Sequence, residues 1–275
     1  MNIGNTDFDI RWFDVLESTN NYCKLLEPHS VEEFTVICAR SQTAGIGQQG
    51  NTWVSEPEKN LTFSLILKPT FLPAAEQYNL TMALAVAIAE SVEAIMSDFA
   101  SHNADDSLDA PNSDIPPVNV KWPNDIYIGD RKVCGILVTN QLGNGHVEQS
   151  ICGVGLNVNQ TQFPDWVPNP TSLLLQQREL ESSVLSCALP LDDILNPLLQ
   201  SILHRYRQLQ QPEGSNVIKS DYLHRLYRIG IESNYIVGGH PIRATITGVD
   251  RFGHLQLVTD SGQNITCAMK EIRFV

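Results

Sequence analysis

Apolar and polar positions alternate with a period of two in several short stretches of the chain and follow a helical period in longer ones. "FDIRWFDVL" (8–16), "EFTVICARSQ" (33–42) and "NLTFSLIL" (60–67) read as strands. Between the first two, "ESTNNYCKLLE" (17–27) reads as a helix with Ser18 or Thr19 at its N-cap. Residues 74–98 predict a long helix with an apolar face. Its run "MALAVAIAESVEAIM" is interrupted by Glu90, Ser91 and Glu93, which marks a buried helix rather than a membrane span. "VNVKW" (118–122) and "DIYIGDRKVCGILVTNQ" (125–141) predict further strands, the second a hairpin turning at Gly129 and Asp130. "HVEQSICGVGLNVN" (146–159) follows the turn signal "LGNG" (142–145), and two more helices fit 190–211 and 215–228. From about residue 234 the texture changes to short strands with glycine turns, a small β-barrel-like unit of roughly fifty residues. The order predicts an α+β fold with a mixed or antiparallel sheet, then a small β unit. Residues 100–117, "ASHNADDSLDAPNSDIPP", are polar, acidic and end in prolines, and predict a mobile surface insertion.

Composition narrows the classes. With 275 residues, 42% of them apolar, the chain can form one large domain, or one domain and a small one. "MNIGNTDFDIRWF" has no basic segment leading into an apolar core, so no secretory signal is expected. The six cysteines, at 23, 38, 134, 152, 187 and 267, form no CxxC pair and no cluster with histidine. They predict reduced thiols in a cytoplasmic protein, and no metal site built from side chains alone. A net charge of −13 argues against non-specific nucleic-acid binding, so each Lys or Arg inside a motif carries more information.

The chemistry concentrates in three places. "TAGIGQQGNTW" (43–53) contains G-x-G-x-x-G at Gly45, Gly47 and Gly50. A dinucleotide loop would open a helix and be followed ~20 residues later by a carboxylate. Here Pro57 and turn-forming residues follow, then a strand without a carboxylate, and no G-K-[ST] is present. The loop can bring backbone N–H groups against an anion, with Trp53 available to stack on a planar group; it can also be a tight inter-strand loop with a core Trp. "KWPNDIYIGDRKVCGIL" (121–137) gathers Lys121, Asn124, Asp125 and Lys132 around a proline turn and a hairpin, and two cations near one phosphate suit phosphoryl or nucleotidyl chemistry. "GVGLNVN" (153–159) sets Gly153 and Gly155 beside Asn157, which marks either a bulge or close approach of a ligand.

Taken together, "ESTN", "QTAGIGQQGNTW" with "NLTFSLIL", "KWPNDIYIGDRKVCGILV", "GVGLNVN" and the C-terminal "GVDRFGHLQLV" resemble the biotin protein ligases in order and spacing over nearly the whole chain. The resemblance implies a class II synthetase-like catalytic domain over 1–228 and an SH3-like β-barrel over 229–275. It implies activation of biotin by ATP, with Mg2+, to biotinyl-5'-AMP, and transfer to a lysine of an apo biotin carboxyl carrier protein. It places Ser18, Thr19, Asn20 and Gln42 at the biotin ureido and ring region, with Gly45, Gly47, Gln48, Gly135 and Gly155 along the biotin slot. Trp53, Asn124 and Asn157 fall beside the adenine and Lys121 near the phosphate. Lys132 falls on the reacting carboxylate, and Asp125 where it would orient the acceptor lysine. The first of these motifs begins at residue 17, which leads us to expect a monofunctional ligase without a DNA-binding domain, acting as monomer or homodimer, away from DNA and membranes.

One departure stands out. The family loop commonly reads G-R-G-R-[RG]-G, and here Ile46, Gln48 and Gln49 replace its arginines. A glutamine donates a hydrogen bond but neutralises no phosphate. Arg40, two residues before Gln42 on the incoming strand, is the nearest cation not already assigned. Two other readings remain at this point, a lipoate–protein ligase-like enzyme and a non-catalytic biotin-binding protein.

Overall fold

A computed structural model of the protein describes residues 8–27, 30–101, 115–181 and 187–275. Most of the expected acidic insertion lies outside the described residues. The first strand, β1 (Asp9–Leu16), leads into α1 (Thr19–Leu25), then β2 (Thr35–Gln42) and β3 (Leu61–Leu67). Ser18 caps α1 by accepting from the Asn21 N–H at 3.4 Å, so the cap falls on the first of the two candidates. The long helix α2 (Tyr78–Ser101) precedes three antiparallel strands, β4 (Val118–Lys121), β5 (Asp125–Ile128) and β6 (Arg131–Gly143). Gly129, at φ +57°, and Asp130 make the β5–β6 turn, as their residue types predict. Asn144 and Gly145, both at positive φ, close a two-residue hairpin into β7 (His146–Leu156).

These seven strands form one mixed sheet in the order β1-β2-β3-β7-β6-β5-β4. Only β1 and β2 run parallel; every other neighbouring pair is antiparallel. Alternation splits the side chains between two faces. Ile37, Ile66 and Ile151 meet α1 through Cys23 on one face. Val36, Leu65, Leu67 and Cys152 meet the larger core on the other. There α2 packs against α4 (Leu191–Leu209) and α5 (Gly214–His224). Its seven-residue stretch Ala83–Ala89 is buried throughout, between the sheet and the other helices, with alanine at every second position. One helix was not anticipated: α3 (Leu173–Glu181), whose first turn is capped by the Ser172 hydroxyl. The β-unit expected near the C-terminus is an antiparallel sheet of β8 (Glu232–Val237), β9 (His240–Val249), β10 (Leu255–Thr259), β11 (Asn264–Cys267) and β12 (Ile272–Phe274), in the order β11-β10-β9-β8-β12.

Five of the six thiols are buried and only Cys187 is exposed. Burial pushes the Cys23 and Cys38 thiols up to about 12 from an ordinary 9.0, and it raises Cys134, Cys152 and Cys267 as well. A thiol reagent at neutral pH should therefore label Cys187 alone in the native protein, and the remaining cysteines only after denaturation. A raised folded-state pKa contributes stability that is complete below the ordinary thiol value and is lost as pH rises through the folded one. Urea unfolding should accordingly show stability falling as pH climbs from about 9 towards about 12. Rapid native labelling of a second cysteine would contradict this.

Candidate active site

The N-terminus of α1, the end of β2, the glycine-rich loop and the β5–β6–β7 strands enclose a cavity of ≈ 260 Å³. It lies on the α1 face of the sheet. Ser18, Thr19 and Asn20 line it and are all buried. Thr19 is held twice: its N–H donates to Gln42 Oε1 at 2.8 Å, and its hydroxyl accepts from Ser64 at 2.9 Å. This leaves the Gln42 amide nitrogen for the cavity. Asn20 is 3% exposed, and neither its Oδ1 nor its Nδ2 has a partner. A buried amide left unsatisfied on both sides is costly unless a ligand completes it.

The glycine loop folds on itself. Trp53 N–H donates to the Gly45 carbonyl at 2.9 Å, Gly47 N–H donates to Asn51 at 2.6 Å, and Ile46 bridges Thr52. Ile46, Gly47, Gln48, Asn51 and Thr52 reach the cavity, whereas Gly45 does not line it. The Trp53 indole lies across Gly135 and Gly155. A Cβ on Gly155 would sit 2.3 Å from Trp53 Cε2, so no other residue allows this approach. The indole N–H is buried without a partner.

Across the cavity, Lys132 Nζ is 2.7 Å from Asp125 Oδ1 and 5.6 Å from the centre of the Trp53 ring. A bulge lets Lys132 take part. In the β5–β6 register Asp125 opposes Gly135, Ile126 opposes Cys134 and Tyr127 opposes Lys132, with Val133 left over. Strict alternation would send Lys132 and Gly135 to opposite faces; the extra residue turns both towards the cavity. Asn124 also lines the cavity, but its amide nitrogen is engaged by the Ile136 carbonyl, and its own carbonyl accepts from Ile136 N–H at 3.0 Å.

Lys121, Asn157 and Arg40, singled out in the sequence like Gly45, do not line this cavity either. Lys121 shares its face of the sheet, yet its ammonium donates to Tyr127 OH at 3.1 Å and sits 4.7 and 5.0 Å from the ring centres of Tyr127 and Phe274. Burial lowers its pKa, Asp125 opposes that shift and Lys132 adds to it. Asn157 donates to the Thr171 carbonyl at 2.9 Å, its Oδ1 left without a partner. Arg40 points elsewhere, 5.0 Å over the Trp12 ring and 3.8 Å from Asp14. Sequence reasoning passed over Phe63, Pro123, Leu137 and Val154, which also line the cavity. Their apolar character marked them only as core. Among the lining residues the charges are one Lys and one Asp, paired with each other.

Residues 12–157 match the family model described as "Biotin/lipoate A/B protein ligase family". The chain is 33% identical over 167 residues to the bifunctional ligase/repressor BirA of Bacillus subtilis, covering 60% of this chain and 46% of that protein. It thus spans less than half the length of the first curated relatives it matches. It is 27% identical over 253 residues to the biotin--[acetyl-CoA-carboxylase] ligase of Paracoccus denitrificans, covering 90% of this chain and 94% of that one. Its fold is similar to that of the biotin protein ligase from Aquifex aeolicus in complex with biotin and ATP: TM-score 0.72 at 22% identity, over 97% of this chain and 99% of that chain.

Gly155→Ala should drive the indole off the strands without unfolding the sheet. The expected readout is a change in tryptophan emission that disappears when the substitution is made in a Trp53→Phe background. An unchanged emission spectrum would mean that the ring does not rest on Gly155.

Proposed function

The chain belongs to the biotin/lipoate A/B protein ligase family, and from that premise we propose that it is an ATP-dependent biotin–protein ligase. Its reaction joins biotin to ATP as biotinyl-5'-AMP and passes the biotinyl group to a lysine of a biotin carboxyl carrier domain. The observation that carries this reading is one cavity lined by a buried, unsatisfied amide at Asn20, the Gln42 amide, the Trp53 ring and Lys132. An uncharged group rich in N–H and C=O, such as a cyclic urea, suits the first two. A carboxylate in need of charge stabilisation suits the last.

In the first step a biotin carboxylate oxygen attacks the α-phosphorus of ATP, and the bond to the β-phosphate oxygen breaks to release pyrophosphate. Lys132 holds the carboxylate and meets the charge developing on the phosphate, exchanging its contact with Asp125 for the ligand. In the second step the neutral amine of the acceptor lysine attacks the acyl carbon. Asp125, freed from Lys132, orients the amine; the acyl C–O bond to the phosphate breaks, AMP leaves, and the surplus proton on nitrogen passes to solvent. Ser18, Thr19, Asn20 and Gln42 take the ureido and ring region; Gly47, Gln48, Gly135 and Gly155 flank it, with Gly45 fixing the loop. Trp53 and Asn124 take the adenine side, Asn157 supporting them. Lys121 acts on the triphosphate from its aromatic cage. Among the described residues no cluster of three His, Cys, Asp or Glu is placed to hold a metal ion, so Mg2+ is expected to arrive on the phosphates of ATP. Residues 229–275 are read as a separate SH3-like unit beside a catalytic domain over 1–228.

Incubating the protein with ATP, Mg2+, an apo carrier domain and either biotin or lipoate tests this reading. Biotin should be transferred and lipoate excluded by a large factor, on the order of 10⁴, because the ureido-binding groups would be left unpaired. Equal transfer of both acids, or biotin binding without any adenylate, would replace this reading with one of the two alternatives. Lys132→Ala should lower biotinyl-AMP formation by on the order of 10²-fold while biotin still binds.

The uncharged loop generates a second expectation. Replacing a charged donor by a neutral one roughly halves the strength of a hydrogen bond to an anion. Gln48 lines the cavity, and its amide also donates to Met269 Sδ at 3.0 Å. Gln48→Arg should keep or raise the single-turnover adenylation rate and slow escape of biotinyl-AMP. Collapse of activity in this variant would show that the loop is built around a neutral side chain.

A further inference from the structure

The turn Trp122–Pro123–Asn124 feeds Pro123, Asn124 and the following Asp125 into the cavity. Two hydrogen bonds fix its first two residues, and both involve the seat of a single glycine of the C-terminal sheet. The Trp122 indole N–H donates to the Gly253 carbonyl at 2.8 Å. The Tyr78 hydroxyl donates to the Pro123 carbonyl at 3.0 Å and lies 3.0 Å from Tyr222 OH. Gly253 rests on the face of that same Tyr78 ring: a Cβ there would be 2.4 Å from ring carbons, and its φ of +86° is one that other residues rarely adopt. The turn carrying Gly253, between β9 and β10, is itself closed by Asp250, which accepts from the Phe252 and His254 N–H groups at 2.8 and 2.9 Å.

We propose that Gly253 is a positioning residue for the adenylation step. Resting on the reading of the site as a biotin ligase, the proposal makes the C-terminal sheet part of the first half-reaction and not only a neighbour of it. The route is short. Trp122 and Tyr78 are both buried, so an indole N–H that lost the Gly253 carbonyl would find no water. Displacing Gly253 from Tyr78 shifts the hydroxyl that holds Pro123. The next two residues are Asn124, tied to Ile136, and Asp125, tied to Lys132. A shift of the turn therefore moves the Asp125–Lys132 pair relative to Trp53, while Ser18, Thr19 and Gln42 hang from α1 and β2 and stay in place.

Gly253→Ala and Trp122→Phe test this. The second removes the N–H donor together with part of the indole ring but leaves the backbone of the Gly253 turn untouched, so it serves even if the first folds poorly. Biotin affinity by calorimetry should stay within about twofold of wild type, while single-turnover biotinyl-AMP formation at saturating biotin and ATP falls by up to on the order of 10²-fold. The double variant should be no slower than the slower single one, because both act through one turn. Amide exchange should accelerate over residues 121–136 and not over α1. Normal adenylation in both variants, parallel loss of biotin affinity, or multiplying defects in the double variant would overturn the proposal. If the wild-type protein makes no biotinyl-AMP, the ligase reading falls and exchange alone decides: acceleration confined to 121–136 supports the positioning role, and unchanged or uniformly raised exchange removes it.

Discussion

The cross-strand pairing of Gly135 with Gly155 is the constraint on which the site depends. Two residues without side chains, opposed on neighbouring strands, leave a bare patch on an otherwise covered sheet face. The Trp53 indole fills the far side of that patch, and the cavity occupies what remains. Any side chain at Gly155 would occupy the ring's place. The register that creates the pair is fixed by the Asn144-Gly145 hairpin and by burial on the opposite face, where Cys134 and Leu156 are also paired.

The bulge at Val133 is the second device. It breaks the alternation of β6 so that a lysine and a glycine three residues apart point the same way. Without it Lys132 would face the helical core, where an unpaired ammonium is strongly disfavoured. With it Lys132 reaches Asp125, and the two charges that line the cavity balance each other in a chain of net charge −13.

The C-terminal unit meets the seven-stranded sheet and the glycine-rich loop through three contacts: Lys121 against Phe274, Trp122 on Gly253, and Gln48 on Met269. Each joins residues more than a hundred positions apart.

Much of this was legible from the sequence. Alternation and turn residues located the strands of the larger sheet and the β texture of the smaller one, because a period of two and Asn-Gly or Gly-Asp turns are local properties. The sequence narrowed the N-cap of α1 to Ser18 or Thr19, and the family resemblance assigned Ser18, Thr19, Gln42, Trp53 and Lys132 to one site; all five line the cavity. α3 was not, because its apolar start follows a proline-rich loop and carries no long amphipathic period. What only the tertiary structure decided were positions that depend on distant partners. Alternation alone left Arg40 a route to the site, but packing drew it to Trp12. Lys121 lies in the same motif as Lys132, but Tyr127 and Phe274 hold its ammonium away from the cavity. The sequence determined which groups exist near one another along the chain; the register, the bulge and contacts between the two sheets determined which of them share a space, since those energies arise only when remote segments meet.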